Sequence, residues 1–290
     1  MTTPARRPAP AWLTTVALLL PTYAWLTLAV FLPLLAMLAF SAMDAAPFGK
    51  TPLVWSLRHY RAFFDQPYLL GVAWTTLALA LWTTAICAVL GLAAALAIVR
   101  GVGPRWRLAI LLLVILPFWT NGLVRVFSWT MVLRENGFLD VLVRWLAPEM
   151  GSVGFLYSQP AIVVGLVHAY LPYTILTCYV ALAAIDESLL EAARSLGART
   201  LTVFWAVILP LARPGLVAGA VLTFVPVVGS FMEPRILGGP KGVTLGTVIE
   251  DQFTQAFNWP LGSALAFTIL AAVLGVLATF SGVLRRGVAA

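Results

Sequence analysis

The stretch EAARSLGARTLTVFWAVILPLARPG, residues 191–215, interrupts an otherwise oily sequence. It carries Glu191, Arg194, Arg199 and Arg213 in a chain that is 61% hydrophobic and only 10% charged. An apolar run precedes it over 159–185, and another follows from Pro214 to residue 232. About 20 apolar residues cross a hydrocarbon core as a helix, so a polar segment between two such runs must leave the membrane. Which side it leaves on, and what it does there, decides the fold.

Working outward, the mean hydropathy of +0.97 lies far from that of a soluble domain. Spans read near 12–41, 70–99, 108–124 (extending toward 131), 159–185, 214–232 and 261–283. The fold class is therefore all-α, a polytopic membrane protein with six transmembrane helices. A short tail, 1–11, precedes a single transmembrane domain, 12–290. Pro21 and Pro33 fall inside the first span, where neighbouring helices can recover the freed carbonyls. The fifth span is expected to start at Pro214 and the sixth just after Pro260, positions where a missing N–H costs nothing. GLAAALA (91–97) and GLVAGA (215–220) offer small faces for close helix packing. The basic N-terminus runs into an apolar stretch reaching Phe40, about twice the length of a signal-peptide core, so it reads as a retained anchor.

Charge sets the orientation. With the N-terminus inside, segments 1–11, 100–107, 186–213 and 284–290 hold ten Lys/Arg and three Asp/Glu. The longer outer segments 42–69, 125–158 and 233–260 hold eight of each. Basic density is thus roughly twofold higher inside, and Arg6, Arg7, Arg100, Arg105, Arg107, Arg285 and Arg286 flank the spans closely. The topology is N-in/C-in, and 186–213 becomes the longest cytoplasmic loop. Scattered charge without a basic run gives the pI near 9.9 a topological meaning and excludes nucleic acid as a partner. The lipid bilayer is the partner instead.

Within that loop Ser188 and Glu191 have the spacing of a capping box, which predicts a helix starting near 188. Leu189, Leu190, Ala193 and Leu196 share one face of it, and Gly197 suits a left-handed stop. A second short helix is expected from Thr200 to Val207, ending before Pro210. A helix of about nine residues is marginal in water and needs a docking surface. The lipid surface is one such surface, and a protein socket is the other.

The spacing points to the socket. Glu191, Ala192 and Ala193, then Gly197, then Ile208, Leu209 and Pro210 resemble the EAA loop of ABC-importer permeases. LPFWTNGLVRVFSWTMVLRENGFLD (116–140), LPYTILTCYVALAAIDESLLEAA (171–193), FVPVVGSFMEPRILGGP (224–240) and NWPLGSALAF (258–267) are similar to the spermidine/putrescine branch, so the likeness spans about 70–284. The tail and the outer loop 42–69 match no motif of that branch. The resemblance implies a type I ABC-importer permease fold in the bacterial inner membrane, whose EAA loop couples to an ATPase. It further implies a cytoplasmic ABC ATPase dimer, a second homologous permease subunit and an extracytoplasmic substrate-binding protein as partners.

The chain has no GxxxxGK[ST] phosphate cradle, so ATP and its Mg belong to the partner ATPase, and no cofactor is expected on this chain. No catalytic constellation surrounds His59 or His168, so catalytic residues are none and the chain is not an enzyme. Cys87 and Cys178 stand 91 residues apart inside spans as small apolar groups, and no metal site is expected.

Ionisable groups inside spans are costly and mark function by default. Arg125 reads as a snorkelling side chain, and His168 as a hydrogen-bonded packing residue. Glu233 stands at the outer mouth, where it either attracts a polycation beside aromatic residues such as Trp119, Phe231 or Trp259, or pairs locally with Arg235. Leu245, Ile249, Phe253 and Phe257 read as the apolar face of an interfacial helix whose Glu250 and Asp251 face water. Two rivals stay open: a permease of the same class carrying ferric iron, phosphonate, sulfate or a sugar, and a self-sufficient secondary transporter. The latter would require inverted repeats with discontinuous helices and midplane acids.

Overall fold

The computed structural model describes residues 11–45, 53–150 and 154–288, the side chains of 11–14, 150 and 279–288 excepted. Most of the expected tail, 1–11, lies outside the described residues. Helix α1 is Ala11–Ser41, α2 Arg58–Asp65, α3 Pro67–Gly101, α4 Pro104–Ile115, α5 Gly122–Leu133 and α6 Phe138–Leu146. They are followed by α7 Gln159–Ala183, α8 Glu187–Ser195, α9 Thr200–Val203, α10 Leu209–Gly229, α11 Leu245–Thr254 and α12 Trp259–Val288. Five helical runs are long and apolar enough to cross a membrane, and a sixth crossing is a bent pair.

Helices α3, α7 and α10 form the heart of the bundle. Small residues let them approach closely: a Cβ on Gly91 would stand 2.7 Å from Thr174 Cγ2, and one on Gly219 would stand 2.9 Å from Thr174 Cα. Thr174 Oγ1 lies 3.1 Å from Thr223 Oγ1, joining α7 to α10 by a buried hydroxyl pair. Lipid supplies no hydrophobic drive between helices, so close contact and such bonds hold them together. Around this seam, Leu79, Ile162, Leu166, Phe224 and Val227 form the outer core, while Ala95, Cys178, Leu182 and Ala212 form the inner one. By contrast α1 is almost wholly exposed and packs chiefly along α12.

Two spans depart from the sequence reading. The third is broken: Pro104–Trp119 and Gly122–Leu146 meet at a 93° bend. A 3-10 turn, Leu116–Trp119, carries Pro117; Thr120 is extended; Asn121 then caps α5 by accepting the Leu123 N–H at 2.8 Å. The Asn121-Gly122 pair is a turn signal of its own, set in a run apolar enough to read as one span. The fifth span does not start at Pro214, nor does a short helix end before Pro210. Helix is continuous over Thr200–Gly229. A π-turn at Phe204–Ile208, closed by Leu209 N–H to Phe204 O, precedes Pro210. Proline clashes with the carbonyl four residues back, and the wider turn gives that carbonyl room.

Segment 245–257 is not an interfacial helix either. Leu245 is buried, with Val248 and Ile249 packed against Phe63, Leu69, Val72 and Leu265, so α11 is inserted between α3 and α12. Its first N–H groups are satisfied by the Thr244–Thr247 capping box, and Leu245 N–H reaches Thr76 Oγ1 at 2.9 Å.

Substituting Gly219→Leu should overpack the α7–α10 seam and destabilise the fold by about 1–3 kcal/mol. Gly71→Ala, whose added Cβ meets nothing within 4 Å, should be neutral. Thermal unfolding of the two variants in the same detergent checks the contrast.

Candidate functional site

Two polar regions stand at opposite ends of the bundle. The inner one is the loop joining α7 to α10. Asp186, not Ser188, caps α8: its carboxylate accepts the Ser188 N–H at 2.9 Å, so the helix begins at Glu187 and the expected Ser188–Glu191 capping box does not form. The Ser188 backbone N–H, and then its hydroxyl, hold the Asp186 carboxyl below its ordinary pKa. A depressed carboxylate contributes above its unfolded pKa and is lost only as pH falls through the folded one, so the cap persists throughout the neutral range. Glu187 is drawn to Arg100 at the end of α3, 2.8 Å away, which pins the start of α8 to the bundle. Arg107 in turn donates to Val99 O and Val102 O, tying off the last turn of α3.

The end of α8 is a closed left-handed stop. Gly197 has φ +83°, its N–H bonds Arg194 O at 2.9 Å, and Ala198 N–H bonds Ala193 O at 3.1 Å. The predicted apolar face divides: Leu190 is fully buried and Ala193 half-buried, whereas Leu189 is exposed and Leu196 is 89% exposed. Leu201 and Trp205 are exposed as well. Glu191 and Ala192 lie on the open side, and Leu209 and Pro210 are half-buried. Ile208 packs with Ile185 onto the inner core around Ala95, Cys178, Leu182 and Ala212. The loop is thus firmly rooted at both ends, and its tip offers apolar side chains to water.

The outer region is built on α7 and the segment after α10. Glu233 is only 7% exposed, and its carboxylate accepts the Ser230 hydroxyl at 2.5 Å. It does not pair with Arg235, which turns instead to Glu250 and Asp251 on α11. Those two acids are therefore occupied by a guanidinium rather than idle in water. A Cβ added at Gly165 of α7 would stand 3.7 Å from Glu233 Cγ, and Tyr170 on the same helix lies within electrostatic reach of the carboxylate.

Trp259 packs edge-on against Phe40 and Phe253, and Trp119 is 83% exposed at the break in the third span. An aromatic ladder joins α7 to the break in the third span: Tyr170 stacks on Tyr173 at 6.3 Å, Tyr173 meets Phe118 edge-on at 4.9 Å, and Arg125 lies over Phe118 at 5.8 Å. The spacing of Tyr170 and Tyr173, three apart on one helix, was the available signal. His168 accepts the Trp129 indole N–H at 3.1 Å, a packing contact. Among the described residues no group of three His, Cys, Asp or Glu is placed to hold a metal ion.

Residues 88–284 match the family model described as the inner membrane component of binding-protein-dependent transport systems. The chain belongs to that family. This inner-membrane component is 36% identical to the spermidine/putrescine transport system permease protein PotB of Haemophilus influenzae, over 87% of this chain and 88% of that one. It is 35% identical to PotB of Escherichia coli, over 87% of this chain and 91% of that one. Among solved structures, a bacterial ABC transporter that imports the acidic polysaccharide alginate has a chain of the same fold. That chain gives a TM-score of 0.75 at 18% identity, covering 95% of this chain and 96% of that one. The permease is thus a multi-pass inner-membrane transport subunit and not an enzyme. Family membership also sets aside the reading as a self-sufficient secondary transporter.

Gly197→Val should strain the φ +83° stop by about 1–2 kcal/mol, since a left-handed backbone is costly for branched residues. Gly197→Asn should be better tolerated. Amide-exchange protection across 187–195 should fall in the first variant and persist in the second.

Proposed function

We propose that this permease subunit takes up polyamines of the spermidine/putrescine type by alternating access, driven by a separate ABC ATPase dimer. A second homologous permease and an extracytoplasmic binding protein complete the importer. The observation that carries the reading is Glu233: a buried carboxylate within electrostatic reach of Tyr170, in a chain 36% identical to a spermidine/putrescine permease. Ammonium groups joined by methylenes ask for carboxylate, aromatic faces and an apolar wall together, and this face offers all three.

Energy enters at the other end. Leu196 and Leu189 present an apolar tip that water does not favour. A groove on the ATPase would cover it, with Glu191 and Ala192 at its edge and Gly197 fixing the angle between α8 and α9. Closure of the ATPase dimer around ATP and Mg would pull this tip. Because Ile185 and Ile208 root the loop in the inner core, the pull reaches α7 and α10 as a rigid-body motion. Those same helices carry Tyr170 and lead into Glu233, so the outer site changes shape when the inner loop moves.

Leu196→Asp should lower ATPase co-purification by about tenfold, the cost of burying an unpaired charge, while the bundle still inserts. Glu191→Lys should uncouple hydrolysis from uptake. Glu233→Gln should raise the transport KM for spermidine severalfold with ATPase binding unchanged. An unaltered KM across a spermidine titration removes Glu233 from the substrate path, and unaltered ATPase binding in Leu196→Asp removes the loop from the coupling surface.

A further inference from the structure

A cavity of about 570 Å³ lies among α2, α3, α10, α11 and α12. Phe63 and Phe64 of α2, Leu77 of α3, Phe224 of α10 and Val276 of α12 are among its walls. Its exposed lining residues are Phe64 on α2 and Ala271 and Ala272 on α12, so it opens between those two helices. The volume falls within the range of about 300–1,000 Å³ found for ligand pockets.

The chemistry of the walls narrows the occupant. Tyr60, Thr76 and Thr268 are the polar residues lining the cavity, and each hydroxyl proton is already spent. Tyr60 donates to Ser41 Oγ, Thr76 to Val72 O and Thr268 to Ala264 O, each at 2.8 Å. Thr76 Oγ1 also accepts the Leu245 N–H. No Asp or Glu lines the space. A buried water needs about two to four polar partners, and the ammonium groups of a polyamine would be buried unpaired. A helix about 10 Å across would fill the volume in little more than one turn, so a further span does not enter it. A slender acyl chain meets none of these objections. Such a chain gains no hydrophobic drive on leaving bulk lipid for apolar walls. Retention of one lipid over its neighbours must therefore come from its headgroup.

The rim carries groups suited to a headgroup. On α2, Arg58 pairs with Asp44, and the buried His59 has its ring 3.2 Å from Asp44 O. Arg61 is exposed and forms no ion pair among the described residues. It stands three residues from the cavity-lining Phe64 and four from Asp65, so all three share one face of α2. Asp65 is exposed too, and among the described residues it is paired neither with Arg61 nor with any other cation. A guanidinium and a carboxylate side by side at the mouth of an apolar cavity complement a headgroup bearing a phosphate and an ammonium. The arginine fork fits phosphate oxygens, and the carboxylate accepts from the ammonium.

We infer that this cavity binds one acyl chain of a phosphatidylethanolamine-type phospholipid, whose phosphate rests on Arg61 and whose ammonium faces Asp65. The assembled transporter is reconstituted in nanodiscs of phosphatidylglycerol containing a small fraction of a photoreactive lipid. The two probes are phosphatidylethanolamine and phosphatidylglycerol with the same diazirine in one acyl chain, and labelled residues are mapped by mass spectrometry. The ethanolamine probe should label the cavity walls about threefold to fivefold more than the glycerol probe, the yield of an exposed ion pair. Positions on the exposed face of α1 should show no such preference. Arg61→Gln should lower cavity labelling by the ethanolamine probe by a similar factor of about threefold to fivefold. Asp65→Asn should erase the preference between probes, and Ala272→Trp should clear the cavity of both. Equal labelling of the walls by the two probes, or labelling that Arg61→Gln leaves unchanged, overturns the inference. Walls that neither probe reaches overturn it as well, since another occupant then fills the space. Should Ala272→Trp fail to assemble, the two substitutions on exposed α2 residues decide the matter.

Discussion

Thr174, midway along α7, touches both of its long neighbours at once. Its hydroxyl meets Thr223 on α10, and its methyl group occupies the space that a side chain on Gly91 of α3 would need. Where lipid and protein interior are equally apolar, helices stay together through such close contacts and through interhelical bonds of about 1 kcal/mol each. The rest of the molecule depends on this seam. The cytoplasmic loop is the connection between α7 and α10, and the segment bearing Glu233 directly follows α10. Both polar ends are therefore carried by two helices locked together near their middles.

The two ends are built differently, as their tasks require. Inside, α8 is held by its Asp186 cap, the Arg100–Glu187 pair and the buried Leu190, with its remaining apolar residues turned outward. Outside, α11 is folded back into the bundle, and Arg235 clamps Glu250 and Asp251, which leaves Glu233 free of its sequence neighbour. Exposed α1 and α4 are apolar helices with few internal contacts, surfaces for lipid or for another chain.

Span number and the existence of the inner loop were legible because both rest on strong one-dimensional signals: apolar length and flanking Arg. Gly197 was legible for a similar reason, since a left-handed stop needs a residue without a Cβ. The local details slipped wherever two rules competed. Pro214 fits a helix start, yet the helix passes straight through it, having begun upstream of a π-turn that precedes Pro210. Ser188 fits a cap, yet Asp186 two residues earlier takes that place, its carboxylate accepting the Ser188 N–H itself. Asn121-Gly122 is a turn signal, yet it lies in a run whose hydropathy says span.

What the sequence by itself determined is the helical membrane architecture and the polar loop between its fourth and fifth spans, because each is a property of composition along the chain. Charge pairing was decided only by tertiary structure. Glu233 and Arg235 are two residues apart, but the guanidinium finds its carboxylates 15 and 16 residues away on α11, once that helix inserts between α3 and α12. Tyr170, Tyr173 and Phe118 come together for the same reason: their side chains meet where a broken span folds against α7. Local spacing sets which face of a helix a side chain occupies. Only the packing of helices around Thr174 sets what that face meets.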